Sequence, residues 1–531
     1  MAGAMDERRL PVVPHPLGGF PGLVNWMHEL TVKGRNWEAL RATDIVEALA
    51  RAVDDSRALV FVTQTRMYAM IGLARLQEAL AAGESLLRLH RAAGATVEEA
   101  KTLSDVAEIL IRMGRLDEGL QLVARATSIL DETPRSHRRH LSAISSLTDA
   151  ARAAELYELA DSSSRILMEG QEPGSIDREA SELQRAELLL EWAMRLEHLG
   201  QLEVAAARYL QSVRLIQPWV DAYRRSGPTA DAPLATAVLA TVLAKLGRVD
   251  EAAELVEPMV GSMRDRSQHH EARLVHFAYG LVLRARGDYP GARREFIAAV
   301  ELSTHTGQTT QRLIFQHELA LLAIAQFPET RHVLAALQAQ AQQLWNLRLE
   351  RLAMLRQARR RVQLEAERTR ADAAALQDPL TGLGNRRCFD QQMALLDREG
   401  RPDQLTLLLL DADNFKHIND TYSHAAGDQV LIQIARALKQ HCRSMDVPVR
   451  FGGDEFAVFI RGDLTTAARI GERIRHWIAT QPWNEIALGM RVTVSLGAAT
   501  LRDGMAADHL FHIADKQLYA AKSRGRDQLA A

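Results

Sequence analysis

The 531-residue sequence predicts a multidomain protein: an all-α helical-repeat solenoid, a coiled-coil linker helix, and an α/β sandwich of the ferredoxin-like type. Three observations predict it. A Leu- and Ala-rich phrase built around a glycine recurs through the first 330 residues. A stretch without Gly or Pro follows. Beyond Gln377, short apolar runs alternate with amphipathic helices. The expected divisions are a disordered leader at 1–24, a repeat region at 25–328, a signalling helix at 329–376 and a catalytic-type domain at 377–531.

Composition narrows the class. The chain is 47% hydrophobic and 25% charged with a formal net charge of −2, so no global field draws it to nucleic acid or an anionic membrane. No run approaches the roughly 18 apolar residues that span a bilayer. The start, rich in Pro and Gly, lacks a hydrophobic signal core. Cys388 and Cys442 lie far apart and give no disulfide framework, which fits a reducing, cytoplasmic setting.

The repeated phrase reads IRMGRLDEGLQLV at 111–123, LEHLGQLEVAAARYL at 196–210, LAKLGRVDEAAELV at 243–256 and RARGDYPGARREF at 284–296. Its glycines, Gly114, Gly200, Gly247 and Gly287, are spaced by about two units and then by single units of 47 and 40 residues, with degenerate copies near Ala74–Ala79 and Ala154–Tyr157. Gly is expected to end one helix in a left-handed cap, and an acid such as Asp250 to start the next. Ala205, Ala252 and Ala292, five residues after their glycines, allow close helix approach. The units resemble tetratricopeptide repeats, which implies a surface for an unidentified peptide or protein; an irregular helical bundle is the competing reading.

In the linker, Leu334, Ala341, Arg348, Leu355, Val362, Thr369 and Leu376 trace a heptad column. The companion column of Leu337, Leu344 and Ala358 is interrupted by Arg351 and Glu365, so the coiled coil is marginal. The basic run 356–361 reads as a solvated helix face. A helix placed here suits a signalling linker that also pairs two copies.

The last region carries the chemistry. LTLLLLDAD (405–413) is a buried strand ending in carboxylates, and PVRFGGDEFAVFI (448–460) is a hairpin around Gly452-Gly453-Asp454-Glu455. The glycines are expected to supply φ angles closed to other residues and to bare the backbone to a ligand. Acids at two neighbouring strand ends make a hard oxygen cage suited to Mg²⁺ bound with phosphates.

These residues resemble the GGDEF family of diguanylate cyclases. RFGGDEF at 450–456, DPLTGLGNRR at 378–387, DADNFKHINDTYSHAAGDQVL at 411–431 and ADKQLY at 514–519 with Lys522, Gly525 and Arg526 match its segments in order. The resemblance implies a Mg²⁺-dependent enzyme (two ions per half-site, Mn²⁺ as an alternative) that joins two GTP into cyclic di-GMP as a homodimer. It implies metal ligation by Asp411, Asp454 and the Ala412 carbonyl, with Glu455 either a further ligand or the base. Amides around Asn414 and Phe415 would cradle the terminal phosphates. Lys416, Lys522 and Arg526 would add charge for the triphosphate, and Asn419 and Asp428 would read guanine. Asp428 equally suits a helix cap, and His424 reads as structural. Arg443 and Asp446, in RxxD spacing and helped by Arg473, match the family's inhibitory product site. Ser423 stands where the family usually has Gly. The alternative function is a non-catalytic cyclic di-GMP receptor or scaffold.

Overall fold

The computed structural model describes residues 20–32, 34–137, 139–226, 232–263, 269–305, 309–327, 331–397 and 404–531. Most of the expected leader lies outside these residues, and its last part is already helical, from Pro21. The chain divides into two compact units, 1–363 and 364–531.

The first unit is built of helices. They are α1 (Pro21–Val32), α2 (Asn36–Ala52), α3 (Ser56–Gly72), α4 (Leu76–Ala92), α5 (Thr96–Arg112), α6 (Leu116–Glu132), α7 (His140–Ala153) and α8 (Tyr157–Glu169). Then come α9 (Ile176–His198), α10 (Leu202–Ser226), α11 (Ala232–Lys245), α12 (Val249–Met263), α13 (His269–Ala285), α14 (Tyr289–His305) and α15 (Thr309–Gln326). Successive helices pack on each other around a Leu- and Ala-rich core.

The repeated phrase makes the turns as expected. Gly114, Gly200, Gly247 and Gly287 have φ of 81°, 74°, 80° and 83°. The next amide reaches back five residues, Arg115 N to Leu110 O at 2.9 Å and Arg248 N to Leu243 O at 2.9 Å. That is the bond pattern of a left-handed helix stop. The degenerate copies turn the same way without glycine, at Ala74 (φ 58°) and Glu155 (φ 57°). Ala205, Ala252 and Ala292 are buried.

The start of the second helix differs from expectation. Asp250 lies in the first turn of α12 with its side chain almost fully exposed, where it does not cap. The recurrent device is instead an arginine just before the helix that pairs with a glutamate three residues on: Arg75–Glu78, Arg115–Glu118 and Arg248–Glu251, each with an Nε–O distance of 2.6–2.7 Å. A glutamate in the first turn also complements the helix dipole.

The linker is one helix, α16 (Arg331–Ala374), whose residues up to Gln363 belong to the first unit. Its heptad stripe faces the repeat helices of the same chain. Ala341, Arg348 and Leu355 are buried, and Trp345, Leu352, Met354, Ala358 and Val362 pack against the repeat core. The stripe expected to pair two chains is thus occupied within one.

The second unit has the expected α/β layout. Its elements are α17 (Arg386–Leu396), β1 (Thr406–Ala412), α18 (Phe415–Tyr422), α19 (His424–His441), β2 (Val447–Arg450), β3 (Glu455–Ile460), α20 (Leu464–Ala479), β4 (Val494–Thr500), α21 (Ala507–Ser523) and β5 (Leu529–Ala530). The sheet order is β2-β3-β1-β4-β5, antiparallel except for β4–β5. The first four strands have ferredoxin-like order.

Every residue of β1 is buried, as a central strand covered on both faces requires. Leu408 and Leu410 join a core with Val430, Ile434, Ile470 and Ile474 of α19 and α20. Leu407 and Leu409 join the other with Phe389 of α17 and Leu510 and Ala514 of α21. Alternation along β1 then puts Asp411 on the α21 side.

Candidate active site

Register brings the acids together. Asp411 stands opposite Glu455 on β3 and Ser495 on β4, and the Ala412 amide donates to the Asp454 carbonyl at 3.3 Å. Asp411 is buried, Asp454 half-buried and Glu455 exposed, so the acidity opens from sheet edge to solvent. Lys522 on α21 places Nζ 2.7 Å from Asp411 Oδ2. Burial pushes the Asp411 carboxyl up, Lys522 pulls it down, and the charges of Asp454 and Glu455 push it up again, leaving it above the usual range.

A carboxylate strained by acidic neighbours is relieved by a cation, and these are hard oxygen donors, so the residues fit a divalent ion. Among the described residues no group of three such side chains is already gathered at ligating distance.

The hairpin glycines act differently from expectation. Neither Gly452 nor Gly453 is among the residues with positive φ. At Gly452 a Cβ would lie 2.3 Å from Glu455 Oε2, so a side chain there would displace the Glu455 carboxylate. Around Gly453 nothing lies within 4 Å of that position, which leaves bare, open backbone. Arg450 fixes the turn by donating to the Gly453 carbonyl at 2.8 Å while its other nitrogen meets Asp378 at 3.1 Å.

After β1 the chain reverses at Asn414, in the left-handed region (φ 55°), which Asn tolerates. The first i→i−4 bond of α18 runs from Ile418 N to Asn414 O, so the amides of 415–417 precede it, an arrangement suited to an anion. Lys416 is exposed beside them, and Phe415 packs partly into the core.

Asn419 is half-buried, and a Cβ on Gly427 would fall 1.9 Å from its Oδ1. Gly427 therefore lets Asn419 sit against the start of α19, next to exposed Asp428. Asp428 makes no cap; Ser423 Oγ does, accepting from Ala426 N. Exposed Arg526 follows Gly525 with φ 65°.

Asp413, the second carboxylate at the end of the 405–413 run, is given another task by its neighbours. It is buried and accepts from Ser495 Oγ at 2.7 Å, Thr493 Oγ1 at 2.7 Å and the Asp527 amide at 3.1 Å. Asp527 is also gripped by Arg475 Nη1 at 2.8 Å. This clasp fixes the chain just after Arg526; the hydroxyls at 493 and 495 were the available signal.

Arg443 and Arg473 are exposed, and Arg473 donates to the His441 carbonyl at 3.0 Å. Asp446 is buried, its two oxygens accepting from the Arg443 amide at 2.8 Å and the Arg461 amide at 3.2 Å. It builds the turn that presents Arg443.

Residues 375–528 match the family described as diguanylate cyclase, GGDEF domain. This segment is a GGDEF domain. The diguanylate cyclase DgcS of Shewanella oneidensis is 37% identical over 155 residues, 29% of this chain and 51% of that protein. DgcP of Pseudomonas aeruginosa is 41% identical over 160 residues, 29% of this chain and 24% of that one. The response regulator PleD of Caulobacter vibrioides is 40% identical over 160 residues, covering 29% and 35%. The chain thus spans between about a quarter and half the length of these relatives. Among solved structures, the GGDEF domain of DgcB from Caulobacter crescentus, in complex with c-di-GMP, is 33% identical, covering 30% of this chain and 95% of that one, with a TM-score of 0.28. Among the described residues no helix is long and apolar enough to cross a membrane.

Proposed function

We propose that the chain is a diguanylate cyclase that condenses two GTP into cyclic di-GMP and two pyrophosphates. The observation that carries this reading is the strand register that sets Asp411 opposite Glu455, next in sequence to Asp454, with Lys522 paired to Asp411, in a segment that matches the GGDEF family. The 3′-oxygen of one GTP bonds to the α-phosphorus of another as the bond to pyrophosphate breaks, and a second turn closes the ring.

Asp411, Asp454 and the Ala412 carbonyl would hold Mg²⁺ or Mn²⁺, with exposed Glu455 either a ligand or the acceptor of the 3′ proton. The bound ions supply charge neutralisation at the phosphates and acidify the attacking hydroxyl. The 415–417 amides, Lys416, Lys522 and Arg526 hold the triphosphate, and Asn419 and Asp428 hold guanine. Each domain carries one GTP, so two copies must face each other and catalysis is largely positioning. The first unit is a tetratricopeptide-like solenoid that receives a peptide or protein signal in the cytoplasm. Arg443, Asp446 and Arg473 take the product and restrain the enzyme.

Purified full-length protein incubated with GTP and Mg²⁺ tests the reading. One cyclic di-GMP and two pyrophosphates for every two GTP consumed support it. Binding of cyclic di-GMP without GTP turnover at any protein concentration overturns it in favour of a receptor.

A further inference from the structure

The seat of α16 on the first unit is chemically specific. Arg348, in the middle of the heptad column, is 1% exposed. Its Nε donates to the Glu155 carbonyl at 3.0 Å and its Nη2 pairs with Glu158. Its guanidinium also lies over the rings of Trp345, 4.4 Å from the centroid, and Tyr157, at 5.3 Å. One turn on, Arg351 Nη1 meets Glu155 Oε2 at 2.7 Å and the Ala154 carbonyl at 3.4 Å. Arg359 reaches Asp131 beyond the middle of α6, at 3.3 Å. The left-handed turn at Glu155 follows α7, and its own carbonyls, those of Ala154 and Glu155, accept from the two arginines at a helix C-terminus, where cations are favoured. The turn between α7 and α8 is therefore a receptor for two arginines of the linker.

The same stripe is a poor seam for a dimer while the arginines are in it. In a parallel two-stranded coil, Arg348 would face its own symmetry mate, two like charges in a low-dielectric core. On the repeat edge the charge has a carbonyl, a carboxylate and two aromatic faces. The column with period seven, Ala341, Arg348 and Leu355, is buried, and its companions Leu337, Leu344, Arg351 and Ala358 are half-buried. A stripe so occupied is withheld from a second chain.

We infer that the α7–α8 edge is a docking surface for the linker helix, and that the occupant it competes with is the linker of a second copy of this chain. Seated and paired are alternative states of one stripe, and the repeat unit opposes assembly of the two-copy enzyme until the seat is released. The inference rests on the two-copy reading of the cyclase.

Sedimentation velocity of the full chain over a range of concentrations, with hydrogen exchange of residues 341–362, tests it. Glu158→Arg faces Arg348 with a like charge and alters no residue of the stripe; Glu158 is half exposed and tolerates exchange. It is expected to tighten dimerisation about tenfold and to speed exchange across 341–362 in dilute protein. Arg348→Leu removes the ion pair and improves the seam, and is expected to tighten dimerisation by about a hundredfold. Unchanged or weaker dimerisation in Glu158→Arg overturns the inference, as does unprotected exchange at 341–362 in dilute wild-type protein. Neither readout uses GTP, so loss of the cyclase reading leaves a distinct signature: tighter dimers with no turnover.

Discussion

The two units bury charge in opposite ways. In the repeat unit, Lys101, Asp105, Glu187, Glu191, Arg273 and Glu318 all lie inside the helical stack. In the GGDEF unit the buried charges among the described residues are three acids, Asp411, Asp413 and Asp446, each at a strand end or turn. The difference follows from architecture. Stacked helices meet through long side chains on facing surfaces, and ion pairs between neighbours satisfy one another there. Glu318 shows this: Lys245 Nζ and Arg284 Nη1 each lie 2.6 Å away, and His198 Nε2 lies 3.6 Å away. A sheet covered on both faces has no such room, so its acids collect at the rim. Buried charge therefore ties helix to helix in one unit, and in the other gathers at the strand ends and turns that frame the site.

Two exchanges would break this contrast. Asp411→Asn is expected to lower GTP turnover by about 10³-fold or more without lowering the melting temperature, because it removes a carboxylate that burial and acidic neighbours disfavour. Glu318→Gln is expected to do the reverse, costing the repeat unit about 3–5 kcal/mol by stranding buried cations, with turnover per folded molecule within about twofold of normal. Burial pushes Glu318 up, but Lys245, His198 and Arg284 outweigh it and hold the carboxylate well below its usual range. A depressed carboxylate stabilises above its unfolded pKa of about 4.3 and loses that contribution as pH falls through the lower folded value. Denaturant melts of the wild type should show an acid-side loss that Glu318→Gln lacks. A turnover defect without destabilisation in Glu318→Gln would sink the contrast.

Asp413 sharpens it, being a rim acid with a structural task. Asp413→Asn keeps one acceptor but turns an amide toward a hydroxyl or the Asp527 amide, at a cost of about 1–3 kcal/mol. By loosening the chain after Arg526 it is expected to raise KM for GTP about tenfold while leaving kcat within about threefold. Steady-state kinetics beside a melting curve distinguish this from loss of a metal ligand, which would collapse kcat.

How far the sequence was legible follows the same division. Four ordered motifs and the continuous apolar run of β1 delivered the sheet and the acids at its rim, because strand patterning and turn chemistry are local. The glycine stops of the repeats were legible for the same reason, down to the degenerate turns at Ala74 and Glu155. What escaped is long-range. A heptad column states that a stripe is buried and not by what, so the seat of Arg348 on Glu155 and Glu158, nearly 200 residues away in sequence, had no local signal.

Ser423 offers the finest test, at one residue of the GGDEF unit where local conformation and local chemistry disagree. Its φ is 132° and ψ 161°, a region nearly reserved for glycine, yet its hydroxyl caps α19 by accepting from Ala426 N at 3.2 Å. Strain there costs about 1–3 kcal/mol, whereas exchange of a serine cap for glycine costs only a few tenths. Ser423→Gly is therefore expected to stabilise the GGDEF unit by about 1 kcal/mol, raising its melting temperature by a few degrees, with KM for GTP unchanged because Asn419 and Asp428 keep their backbone. If melting falls instead, the cap outweighs the strain, and the serine is the better residue at this turn.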